Sequence, residues 1–420
     1  MLRFTIASLR SVSKSFGSRA SIPPRSPLPG LLFHHLGCSL RSACELTVVS
    51  AQLLSAMRLG RRSGWAGVSR RLTGSTGESF GRAELMTLID QCTDAAGLLR
   101  LVEKHGQSFD ADHVFVAWGT VREMPSAAGR GDEGLVLQRL QVLTRGKIGE
   151  WDAQLFTIGV NLMAELHLTK RMEVDDELAG ELQAGAKAKL GDFKPQDVSI
   201  LILGLSRMGI LDAGLVAAMQ GRARETAGDF EAQEIAQLMS ALAIMGIRLE
   251  PDLLAAMQGR ARETASDFEA QEVAQLMSTL AMMSIRLAPD LLAAMQARAT
   301  VTAGAFLPRD VVLLLMSLAS AGVTNPDAGL VAAMQGRATA TARAFLPHQV
   351  ASLMTSLATM QIRPDAGLVS AMQGRAAETA GDFEPEEVAR LLVALELMGI
   401  QPDASLATAI KGRAYRSFRE

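Results

Sequence analysis

The feature that most constrains the fold of this chain is an internal repeat. The segment AAMQGRARETA occurs at residues 217–227 and again, letter for letter, at 255–265. The Met of this segment recurs at spacings of 38, 38, 39, 38 and 38 residues, with Ile in the last copy. These positions are Met219, Met257, Met295, Met334, Met372 and Ile410. A fixed period in the high thirties is typical of a solenoid of stacked helix pairs.

An aromatic residue eleven positions after each Met supports the same register. The five regular copies have Phe230, Phe268, Phe306, Phe345 and Phe383 there. Weaker copies upstream place Phe109, Trp151 and Phe193 at the equivalent position, and the inserted segments EMPSAAGRG and TKRMEVDDE lengthen two early loops. The register predicts degenerate units over residues 83–192 and regular units over 193–420.

Each unit has the pattern of two helices. Apolar residues recur at i, i+3, i+4 and i+7 within EAQEVAQLMSTLAMM, which predicts helix A of the unit. These residues are Val273, Leu276, Met277 and Leu280. After the break SIRLAPD, Pro289 suits the first turn of helix B, whose apolar face is predicted to hold Leu292, Met295 and Ala299. Neither helix buries its apolar stripe alone, so we expect an all-α solenoid in which neighbouring pairs share one core.

The charge balance divides the chain near residue 80. Residues 1–80 carry eleven Lys and Arg against two acids, a balance of +9, whereas the remainder carries 31 basic against 42 acidic side chains, a balance of −11. The first part is rich in Arg and Ser and lacks a continuous apolar segment, which is typical of an organelle transit peptide. We expect a disordered mitochondrial presequence there; a basic tail that binds nucleic acid or anionic lipid is the alternative.

The residues that carry chemistry elsewhere are sparse in this sequence. Three cysteines are too few for a disulfide framework or a zinc site, and the six histidines lack metal-ligand spacing. Neither a Gly-rich phosphate loop nor a nucleophile elbow occurs. Charges interrupt every apolar stretch, so we expect no membrane span. The sequence therefore predicts a protein that is not an enzyme and holds no cofactor or metal.

Beyond its period, the chain resembles a known class of organellar proteins. The entry LMTLIDQCTDAAGLLRLVEKHGQSFDADHVFVAWGTV and the recurring pattern F-x-P-x-[DE]-V followed by LM-x-x-LA-x-MGI-x-PD resemble octotricopeptide-type repeats of organellar RNA-processing proteins. They are also similar to the helical pairs of FAST-kinase-like proteins and of repeat proteins in RNA-editing substrate-binding complexes. The resemblance implies an imported α-solenoid that binds RNA. The chain lacks the PPPEW-like signature and shows no RAP-type domain.

Two sets of side chains are candidates for RNA contact. The first is an arginine three positions after each Met, expected to form a row along one surface that lines phosphates; the alternative is a row neutralised by Glu225, Glu263 and Glu378. This row comprises Arg222, Arg260, Arg298, Arg337, Arg375 and Arg413. At the positions matching those three glutamates, Val301 and Ala340 follow Arg298 and Arg337, which weakens the alternative there.

The second set consists of variable positions on helix A. The third residue after the Phe reads Gln196, Gln233, Gln271, Arg309, His348 and Glu386, and the seventh reads Ile200, Gln237, Gln275, Leu313, Ser352 and Arg390. Variation on a constant scaffold is what a base-reading code needs, although an unconstrained solvent face also varies. The Gly after each Met-Gln pair has two interpretations, of which we prefer close packing of helix B on its neighbour over room for a ligand.

Two functions follow from these observations. The resemblance, the presequence and the arginine row favour an organellar protein that binds single-stranded RNA and acts in RNA processing, stability, translation or ribosome assembly. The net charge of residues 81–420, −11, repels phosphate. It favours a protein–protein scaffold of the same architecture, with subunits of an RNA-processing complex or ribosome as partners. We expect a mitochondrial location, with the plastid as the alternative.

Overall fold

The computed structural model describes residues 80–125 and 131–417, so the predicted presequence lies outside the described residues. Within these ranges the chain is all-helical and contains no strand, which confirms the predicted α-solenoid. The A helices are α1 (Phe80–Asp90), α3 (Ala111–Glu123), α5 (Ala153–Leu168), α7 (Pro195–Arg207), α9 (Ala232–Ile244), α11 (Ala270–Met282), α13 (Pro308–Ser320), α15 (Pro347–Thr359) and α17 (Pro385–Leu397). The B helices are α2 (Ala95–His105), α4 (Asp132–Lys147), α6 (Asp176–Ala188), α8 (Ala213–Glu225), α10 (Pro251–Glu263), α12 (Pro289–Val301), α14 (Ala328–Ala340), α16 (Ala366–Glu378) and α18 (Ala404–Ser417).

The helices form two layers. Each A helix packs on the A helices before and after it, and each B helix packs on its B neighbours. From α5 onward, successive A helices approach one another more closely than successive B helices do. The A layer is therefore the more tightly packed of the two layers. Its central helices are buried all round, because every residue in 273–280, 310–319 and 349–357 is buried.

The core follows the two repeated positions that set the register. All eight aromatic residues of the register, in the weak upstream units as well as the regular ones, are at most 2% exposed. The five Met residues of helix B are at most 1% exposed. The helix B face differs by one residue from the prediction, because Leu291 is buried at the expected place of Leu292, which is half-buried. Leu291, Met295 and Ala299 are spaced by four residues and face the A layer together.

The ends of the A helices have a recurrent geometry. The residue after the C-cap adopts a left-handed conformation, with Gly246 at φ 64° and Ser284 at φ 55° in two successive units. The following amide then donates to a carbonyl five residues back, as from Ile247 N to Leu242 O at 2.9 Å. This is a Schellman motif, which favours Gly because other residues pay a steric cost at positive φ. It turns the chain sharply from the A layer to the B layer.

The second inserted segment is anchored by a buried ion pair. Arg171 and Glu133 are 7% and 3% exposed at the side chain, and Arg171 Nε lies 2.5 Å from Glu133 Oε1. Arg171 Nη2 also donates to the Val121 carbonyl at 2.8 Å. The longer loop is therefore fixed onto α3 and α4. The first insertion falls partly on residues outside the described ranges.

Candidate nucleic-acid interface

The arginine row lies where the chain passes from a B helix to the next A helix. We call this surface the connection edge; it comprises the last turns of the B helices, the connections 226–231, 264–269, 302–307, 341–346 and 379–384, and the first turns of the A helices. Arg222, Arg260, Arg298, Arg337 and Arg375 each donate from Nε to a Phe carbonyl, at 2.6–3.0 Å. Each accepting Phe lies in the connection that follows the preceding B helix. The arginines therefore join successive units, a role that the sequence did not reveal.

The outer guanidinium nitrogens differ between units. Arg222, Arg260 and Arg375 each lie 3.4–3.6 Å from the glutamate three residues on, Glu225, Glu263 and Glu378. These pairs are exposed on the acidic side, so they contribute little to stability, but they lower the local positive charge. Arg298 and Arg337 have no salt-bridge partner among the residues that the structure describes. The side chain of Arg413 is outside the description.

The Gln next to the Met is a second fixed contact that sequence reasoning missed. In α8, Gln220 Oε1 accepts from Glu250 N at 2.9 Å while its Nε2 donates to the Arg248 carbonyl at 3.2 Å. In the other units, a backbone amide of the loop before the next B helix likewise donates to the Oε1 atom of the Gln. These residues are Gln258, Gln296, Gln335 and Gln373. The Gln thus reaches forward to the next unit as the Arg reaches back. The available signal was that this Gln and Arg are constant in all five copies that contain the Met.

The interpretation of the helix B glycines as close-packing positions is wrong. A Cβ built on Gly221, Gly259, Gly336 or Gly374 meets no atom within 4 Å. Gly259 instead borders a groove between successive B helices. The groove between α10 and α12, of about 550 Å³, is lined by Leu254, Ala255, Gly259 and Arg262 among others.

The two variable positions of helix A lie in different environments. Third-position residues lie at the connection edge, where Gln233 and His348 are exposed and Gln271 and Arg309 are half-buried. Arg309 Nε donates to the buried Asp310 at 3.0 Å.

Seventh-position residues face neighbouring A helices. In the central units, Gln275, Leu313 and Ser352 are buried, so they cannot read bases. Gln275 Nε2 donates to Ser240 Oγ of α9 at 2.8 Å. Their variation therefore reflects packing between neighbouring A helices.

Carboxyl groups in the first turns of A helices are perturbed by burial. Burial raises the pKa of Asp197, Glu234 and Glu272, and backbone amides that these carboxylates accept from oppose the shift. Glu272 accepts from Glu269 N at 2.8 Å, closing the start of α11. Arg298 also lowers the pKa of Glu272, though less than burial raises it. The shifts therefore arise from burial of carboxyl groups that also cap the starts of their helices.

No group of three or more His, Cys, Asp or Glu side chains in residues 80–125 and 131–417 could hold a metal ion. None of the helices described is long and apolar enough to cross a membrane.

Comparison with known proteins places this geometry in a family. A family model described as RNA-editing substrate-binding complex 6 protein matches residues 120–402. The chain belongs to this family. The match runs from α3 to the loop before α18, so the RNA-editing substrate-binding complex 6 family includes degenerate and regular units alike. Family membership confirms the helical-repeat, RNA-editing-complex part of the resemblance; its octotricopeptide and FAST-kinase-like part stays a prediction. No curated protein sequence matches the chain.

Proposed function

We propose that this chain is a non-catalytic helical-repeat subunit of an organellar RNA-processing assembly, and that it binds single-stranded RNA directly along the connection edge. The family match supports membership of an RNA-editing complex. The observation that carries direct RNA contact is the arginine row, one guanidinium per unit on one edge, joined to the Phe carbonyls through Nε. Because Nε is used, only the two outer nitrogens of a guanidinium can contact phosphate, and in Arg222, Arg260 and Arg375 one of them already lies 3.4–3.6 Å from a glutamate. Arg298 and Arg337 are therefore the best placed to bind phosphate.

The buried A layer limits how such a protein reads RNA. Residues of α11, α13 and α15 that face neighbouring helices are covered, so bases have no access to them. Most contacts are then made to phosphates, which position the RNA on the protein without reading its base sequence. Gln233, Gln271, Arg309 and His348 lie at the same edge and supply the side chains for any base contact. We therefore propose weak sequence preference.

A scaffold without direct RNA contact is the second candidate. The acidic balance of residues 81–420, −11, favours it, because a phosphate chain is repelled overall. In this reading the solenoid binds protein subunits of the same assembly. Both candidates fit a mitochondrial location, with the plastid as the alternative, and both are consistent with the basic residues 1–80.

Direct binding is tested with the purified full chain and a labelled single-stranded RNA of mixed sequence. The affinity is measured across a salt series. We expect log K to fall linearly with log salt, by about 0.7 for each phosphate neutralised. Failure to retain the RNA even at the lowest salt would remove direct RNA binding and leave the scaffold as the function.

A further inference from the structure

The connection edge changes its charge abruptly in two adjacent units. The two units are those of Phe306 and Phe345. In the units of Phe230, Phe268 and Phe383, which flank them, three edge positions are acidic: the residue five before the Phe, the residue directly before it and the residue directly after it. In those flanking units the residues are Glu225, Asp229, Glu231, Glu263, Asp267, Glu269, Glu378, Asp382 and Glu384. In the units of Phe306 and Phe345 the same positions hold Val301, Ala305, Leu307, Ala340, Ala344 and Leu346. All fifteen residues are exposed, so the change alters the surface and leaves the core as it is.

The uncharged replacements expose unusual apolar surface. Val301 is 77% exposed, Leu307 54% and Leu346 50%, which places them among the most exposed large apolar residues of the described chain. Single exposed apolar residues are ordinary, but neighbouring ones on one edge mark an interaction site. The six uncharged replacements, together with Arg298, Arg337, Arg343 and His348, are called the acid-free patch.

Arg337 lies at the centre of the acid-free patch. Its Nε donates to the Phe306 carbonyl at 2.7 Å, which places the guanidinium beside the connection that carries Leu307. On its own helix the position three residues on is Ala340, so neither side of Arg337 carries an edge acid. Arg298 has Val301 on one side and the acidic connection 264–269 on the other. Arg343 is exposed and occurs where other regular units have Gly or Ser.

We propose that the acid-free patch is the segment of the connection edge on which single-stranded RNA lies. Phosphates contact Arg298, Arg337 and Arg343, while base faces lie on Leu307 and Leu346. The acidic connections on both sides repel the phosphate chain and confine the contact to these two units. This inference rests on the proposed RNA binding and specifies its place.

Charge selects RNA as the occupant. The patch presents three arginines and one histidine, and the only carboxylate of its two A-helix first turns is Asp310, which is 2% exposed and bonded to Arg309. A polymer with one negative charge per residue matches cations repeated once per unit. The aliphatic side chains between these cations do not repel the phosphates, and contact with base faces buries their apolar surface. Aromatic stacking is absent from the patch, so we expect modest affinity.

The chain itself supplies the matched variant. A fourfold variant combines Val301→Glu, Leu307→Glu, Ala340→Glu and Leu346→Glu. Each position then has the residue that the flanking units, here called sister units, have at the equivalent place on the same backbone, so we expect folding to be preserved. The glutamates that sister units hold at the positions of Val301 and Ala340 lie 3.4–3.6 Å from their arginines. The control carries the reverse changes Glu263→Val, Asp267→Ala and Glu269→Leu, which remove the acidic edge positions of one further unit. Circular dichroism and thermal denaturation verify both folds.

Binding of a labelled single-stranded RNA, about 16 nucleotides long, is then measured on the full chains. We expect the fourfold variant to bind at least about tenfold more weakly, with a shallower salt dependence, and the reverse variant to bind more tightly. If the unmodified chain binds RNA and the fourfold variant binds equally well, the patch is wrong while the proposed function stands. If the unmodified chain binds no RNA, the proposed function fails and the patch with it. Unchanged RNA affinity with loss of a co-purifying protein would make the patch a protein-docking site.

Discussion

At the residue scale, one arginine per unit, from Arg222 to Arg375, joins its unit to the preceding one. Its Nε satisfies the Phe carbonyl in the connection of the preceding unit, as from Arg260 to Phe230 at 2.8 Å. Replacing such an arginine leaves that carbonyl without its partner, at a cost of about 1–3 kcal/mol. Substitution of the whole row is therefore a poor test of RNA binding, because loss of binding and loss of the fold coincide. Changes at the exposed neighbours of the row separate the two.

Glu272 gives a prediction about pH at the same scale. Burial raises its pKa in the folded chain, so its contribution to stability is fully present below the unfolded value of about 4.3 and is lost as the pH rises through the folded value. In Glu272→Gln this loss disappears. We expect the variant to denature at a higher temperature than the unmodified chain at neutral pH, by a few degrees at most, and the difference to vanish below about pH 4.

Gln349 supports the geometry of this variant, because its Oε1 accepts from Leu346 N at 3.0 Å at the equivalent place in α15. Thermal denaturation followed by circular dichroism at several pH values measures the effect. An equal difference at every pH would show that ionisation of Glu272 does not matter for stability.

At the element scale, the B helices keep glycines that packing does not require. Gly259 lies within α10, and an added Cβ meets open space. Gly inside a helix costs about 1 kcal/mol relative to Ala, so Gly259→Ala is expected to stabilise the protein by about that amount. The equivalent residue of α12 is already Ala297, which provides the control: Ala297→Gly should destabilise to a similar extent. Urea denaturation monitors both, and a destabilised Gly259→Ala would show that the groove between α10 and α12 closes on this residue.

The sequence predicted the elements well and their contacts poorly. Spacing along the chain determines which residues share a helix face, so Val273 and Met295 were placed on buried apolar faces correctly. Spacing says less about how closely neighbouring helices approach. The tight A layer buries Gln275 and Ser352, which were expected on a variable surface, whereas the wider B layer leaves Gly259 beside open space. The inter-unit bonds of Gln220 and Arg222 depend on the same distances.

At the scale of the whole molecule, the average charge conceals the distribution. The balance of −11 over residues 81–420 argues against a polyanionic ligand, and most of the connection edge agrees with it. Two adjacent units differ, because six edge positions that are acidic in the flanking units of Phe230, Phe268 and Phe383 are uncharged there. If the proposed RNA binding holds, we expect such an acidic solenoid with one short basic segment to contact only a few nucleotides. The basic residues 1–80 could add RNA affinity of their own, so a test of the solenoid must separate the two contributions.

The most direct test of RNA binding by the solenoid is ultraviolet crosslinking of the full chain to single-stranded RNA, with the crosslinked peptides identified by mass spectrometry. The account predicts crosslinks within residues 298–309 and 337–348, and few in the acidic connections 226–231 and 264–269. Crosslinks confined to residues 1–79, or none at all, would contradict the claim that the helical repeats bind RNA.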